Sequence, residues 1–86
     1  MSPLPNRIRR LIERRPLKGD LQGQLFWLVD VILACSETGL VQEAQCLKKA
    51  LGFLGKYLEQ NSEPQLNAAM HELETFEGLL AQRRRG

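Results

Sequence analysis

Cysteine, histidine and long apolar runs are scarce in this chain, and each shortage closes off a class of protein. Two cysteines in 86 residues are too few for the disulfide framework that holds small secreted domains together. Cys35 and Cys46 both fall inside helical patterns, where a free thiol behaves as a small core residue, so a reducing compartment is expected. The one histidine, His71, cannot build a zinc site without further ligands, and the cysteines are not spaced as a ligand pair. It lies off the apolar series of its helix and is expected on the surface. There is no glycine-rich phosphate loop, nucleophile elbow or metal motif. The expectation is a protein that is not an enzyme and needs neither cofactor nor metal.

The longest apolar segment, residues 25–35, is 11 residues with Asp30 in its middle, well short of the ~20 that span a bilayer. Standing behind a basic stretch, it superficially resembles a secretion signal, and residues 32–35 resemble a lipoprotein cleavage site. A charge in the would-be apolar centre argues against both. The chain is expected to be cytoplasmic, without membrane association.

Arginine is missing from the middle. All eight arginines stand near the two ends: Arg7, Arg9, Arg10, Arg14 and Arg15, then Arg83, Arg84 and Arg85. Residues 19–82 hold nine acidic residues against Lys48, Lys49 and Lys56, a net of −6, and the formal total of +2 comes from the ends. An acidic body with basic extremities implies contact with something acidic, or ends that fold back on the body.

What is present is helical. Leu21, Leu25, Leu28, Ile32 and Cys35 form one apolar series; Leu40, Ala44, Leu47, Leu51, Leu54 and Leu58 a second; Leu66, Ala69, Leu73, Phe76 and Leu80 a third. Each steps by three and four, which keeps one stripe of a helix on a core, and nowhere does the strict alternation of a half-buried strand occur. Asp20 offers an N-cap, Gly39 a left-handed stop, and Ser62 with Gln65 a capping box ahead of Pro64 in the first turn. Such short connections make neighbouring helices antiparallel. The expected fold is all-α: a basic arm with a short amphipathic helix over 1–18, an antiparallel three-helix bundle over 19–82 and a basic tail over 83–86. The hairpin about Gly39, with Ala34 and Ala44 on either side, resembles a single tetratricopeptide-type helix pair. No second copy follows at the period of about 34 residues that a solenoid requires, so it is read as generic helical-hairpin chemistry.

The first main helix carries surplus apolar surface. Opposite its core stripe lie Phe26, Trp27, Leu33 and Ala34 around Asp30, a face that would be a liability in water. Three covers fit: the N-terminal helix docking through Ile8, Leu11 and Ile12 with an arginine on Asp30 or Glu37, a second copy in a homodimer, or a foreign protein. Gly52 and Gly55 on the second helix fit either a solvated face or the close approach of another backbone.

Two functions follow. The first is a regulator or adaptor that binds a larger protein, as a homodimer, through an interface of Phe26, Trp27, Asp30 and Leu33, aromatics being the usual anchors of interfaces. The alternative is a nucleic-acid-binding protein whose eight arginines contact phosphates. The two differ in salt dependence, because phosphate contacts weaken steeply with salt and an apolar interface does not.

Overall fold

The punctuation of the chain divides it into four helices: α1 (Asn6–Glu13), α2 (Leu21–Glu37), α3 (Val41–Gln60) and α4 (Glu63–Arg85). The computed structural model describes residues 4–17 and 19–85, with the side chains of Arg84 and Arg85 outside that description. The Asp20 carboxylate caps α2 by accepting the Gly23 N–H at 2.9 Å. At the other end of α2, Gly39 takes φ +79° and the Leu40 N–H returns to the Cys35 carbonyl at 2.8 Å, the Schellman closure that glycine permits. Asn61, in the left-handed conformation, ends α3.

One capping expectation fails. The Ser62 carbonyl does receive the Gln65 N–H at 3.0 Å, but the Gln65 amide oxygen is buried without a hydrogen-bond partner. The side chain lies along the half-buried flank of α4 and does not reach back across the turn.

α3 is the shared neighbour. It packs on α2 and on α4, while α1 lies against α2. The core is continuous through Leu28, Val31 and Cys35 of α2, Leu47, Ala50 and Leu54 of α3, and Leu73 and Phe76 of α4. A fully buried leucine or phenylalanine contributes about 1.5–3 kcal/mol, so these positions dominate stability. The three expected series meet the core, with Leu21, Leu25, Leu51 and Leu66 only half-buried and Leu58 exposed. Among the described residues no helix is long and apolar enough to cross a membrane.

A glutamate occupies the core. Glu43, in the first turn of α3, falls in register with Leu47, Ala50 and Leu54 and is fully buried. Arg83, near the C-terminus of α4, meets it with Nε on Oε2 and Nη2 on Oε1, the latter at 3.2 Å. A carboxylate taken out of water is tolerable only with such a forked, charge-assisted partner. The pair also sets how far α4 runs alongside α3. α4 continues through Arg85, so the tail expected from residue 83 onward is helical over 83–85. Arginine is a good helix former, and positive charge suits a helix C-terminus.

The glycines are not alike. A Cβ on Gly52 or Gly55 would meet nothing within 4 Å, whereas one on Gly23 would stand 2.2 Å from the Asp20 carboxylate. Gly52→Ala and Gly55→Ala should therefore each raise stability by about 0.5–1 kcal/mol, and Gly23→Ala should cost about 1 kcal/mol through loss of the cap, all read by urea denaturation. In the same assay Arg83→Ala should cost about 3 kcal/mol, because it strands the Glu43 charge. Adding Glu43→Leu to that variant should recover most of the loss; a cost well under about 1 kcal/mol for Arg83→Ala would show that the pair does not hold the helices.

Candidate functional site

At 100° per residue, α2 presents two sides beyond the one that α3 covers. Trp27, Val31 and Ala34 share one side, and Phe26, Val29, Asp30, Leu33 and Glu37 the other. α1 covers the first. Ile8 is fully buried, Leu4 lies beside it in the core, and Leu11 and Ile12 pack at its edge. Trp27 is left only 6 % exposed. Its indole N–H donates to the Leu11 carbonyl at 2.6 Å, an oxygen in the last turn of α1 that also accepts the Arg14 N–H at 3.2 Å. The Arg15 guanidinium stands 5.4 Å above the centre of the ring, a cation–π contact, and also pairs with Glu77 of α4. Arg7 pairs with Glu37 at the end of α2. Both ion pairs are largely exposed, so each is worth at most about 1 kcal/mol; burial of Trp27 and Ile8 is the main force holding α1.

Nothing among the described residues covers the second side of α2. Phe26 is 75 % exposed, Leu33 51 % and Val29 43 %. Spaced by three and four, they form a continuous ridge. Asp30 is also exposed and forms one wall of an open groove between α1 and α2, opposite Asn6, Arg7, Arg10, Leu11 and Arg14. The four residues expected to form one interface are thus divided: Phe26, Asp30 and Leu33 stand together at the surface, and Trp27 lies beneath α1. Trp27 cannot anchor a partner while α1 is docked, because its indole N–H and ring face are both occupied.

The arginines divide as well. Arg7, Arg15 and Arg83 are bound to Glu37, Glu77 and Glu43. Arg9, Arg10 and Arg14 are exposed and take part in no ion pair among the described residues. The side chains of Arg84 and Arg85, the other two expected contacts, lie outside the described residues. Val29, Glu43 and Glu77 were not singled out from the sequence. Glu43 was within reach of such reasoning, since it stands at core spacing from Leu47, Ala50 and Leu54.

Among the described residues, no group of three His, Cys, Asp or Glu side chains is placed to hold a metal. The Cys35 thiol is pushed up to about 11, first by burial and then by the Glu43 charge, with Arg83 opposing, so it is protonated at neutral pH. Cys46 is raised too, chiefly by burial. Thiolates, not thiols, are nucleophiles. Comparisons with protein families, curated proteins and solved structures found no match.

Trp27 is the sole tryptophan, so its emission reports the docking of α1. Ile8→Asp, which places a charge in that buried seat, should shift Trp27 emission to the red and make it accessible to a soluble quencher, with the far-ultraviolet helical signal largely kept. Unchanged emission would mean that α1 holds its place without Ile8.

Proposed function

We propose that this protein is a small, non-enzymatic binding module, an adaptor or regulator that acts by docking on a larger protein. The observation that carries this reading is the uncovered ridge of Phe26, Val29 and Leu33 on α2. α2 is fixed on two sides by α3 and α1, so the ridge is rigid and loses little entropy on binding. A phenylalanine on an exposed apolar stripe has the character of an interface anchor. Free thiols at Cys35 and Cys46 suit a reducing compartment, and the cytoplasm is the proposed location.

Nucleic-acid binding is the weaker alternative, because three of the arginines it would use are already neutralised by glutamates. The test is a photo-activated cross-linking residue placed at position 26, with a control at position 45 on the exposed side of α3, in cells that make the protein. A discrete protein adduct from position 26 alone is expected. Nucleic-acid adducts, or identical patterns from both positions, would overturn the proposal.

A further inference from the structure

The groove beside the ridge narrows the kind of partner. We propose, resting on the binding-module reading above, that the ridge and groove together seat an amphipathic helix that is acidic along one flank. The ridge runs along α2, and on the α1 side it is bordered by Arg10 and Arg14, which are one helical turn apart and engaged in no ion pair among the described residues. Gln22 and Ser36, both exposed and uncharged, continue the ridge's own line at its two ends, four residues before Phe26 and three after Leu33. The surface thus has an apolar centre with polar ends and one cationic edge. Its complement is a helix with apolar residues at spacings of three and four and two carboxylates a turn apart on one flank. Asp30 stands between ridge and arginines. It repels a carboxylate placed directly above it and so fixes the partner's acids over Arg10 and Arg14.

A second copy of the chain fits less well. A two-fold axis that packs the α2 ridges antiparallel leaves both α1 helices on the same side, so Arg10 and Arg14 meet their own counterparts. A parallel two-fold places them on the side of the other α2 that is away from its Asp30 and Glu37. Nucleic acid would use the arginines but leave the ridge in water. An anionic lipid surface would have to approach Asp30 and Glu37, which share the face.

The test uses the full chain and two synthetic helical peptides with the same leucine stripe, one with glutamates along a flank and the other with lysines there, followed by fluorescence anisotropy. The glutamate peptide should bind at least about tenfold more tightly, the size of effect expected from two new charge pairs. Arg10→Glu with Arg14→Glu should reverse the order, and Phe26→Ser with Leu33→Ser should abolish binding of both. All four positions are exposed, and circular dichroism confirms that the variants fold. Equal binding, binding of neither peptide, or a preference that survives the arginine changes would overturn the acidic-helix assignment. So would a dimer in light scattering that is lost in the Phe26/Leu33 variant, or retention on nucleic acid or anionic vesicles that depends on Arg10 and Arg14 alone. A position-26 protein adduct in cells alongside equal peptide binding would leave the module intact and refute only the partner's charge; absence of the adduct would refute the module itself.

Discussion

Trp27 stands on a side of α2 that α3 does not cover, and it needs both an apolar roof and an acceptor for its indole N–H. Much of the arrangement follows from meeting those two needs. α1 provides the roof through Ile8 and Leu11, and the acceptor through the Leu11 carbonyl in its last turn. Pro16 closes α1 at the point where Arg15 must turn over the ring and reach Glu77. A helix of eight residues is marginal in water, so α1 and the Trp27 seat depend on each other. α2 in turn can be apolar on nearly every side because α3 and α1 each take a share.

The same division explains the charges. Arginines concentrated near the ends of an acidic body act in part as fasteners within the molecule. Arg7 closes on the end of α2, Arg83 on the start of α3, and Arg15 on the middle of α4. Only at Glu43 is one partner of such a pair desolvated, its arginine staying exposed, and only there does the energetic stake rise above that of a surface contact. The arginines outside these pairs, Arg10 and Arg14 in particular, are distinguished by position. They line the edge where α1 and α2 part, next to the apolar ridge.

The helices, their order and their stops were legible in the sequence, because periodicity and the signals at Asp20, Gly39 and Pro64 act locally. Two of the proposed covers for α2 could not be told apart from the one observed, since Ile8, Leu11 and Ile12 suit a neighbouring subunit as well as the chain's own α2. The division of Phe26 from Trp27 was likewise out of reach. The two are adjacent in sequence, and only the angle at which α1 crosses decides which is roofed. The Glu43–Arg83 pair spans α3 and α4, and no local pattern announces such a long-range partner. Gly52 and Gly55 left two explanations open, and the empty space around them shows that no backbone of the described residues approaches there.

The dependence of α1 on its seat gives the molecule two tiers of cooperativity. Losing the Leu11 and Ile8 contacts costs α1 its helix as well as its place, because eight residues do not hold a helix alone. The α2–α3–α4 body keeps its own core and its buried ion pair during that event. Amide protons of α1 and of the body therefore belong to different opening reactions, the first local and the second global. Each α1 opening bares the Trp27 side of α2 beside the ridge, so the time-averaged surface of this protein is broader than its lowest-energy shape.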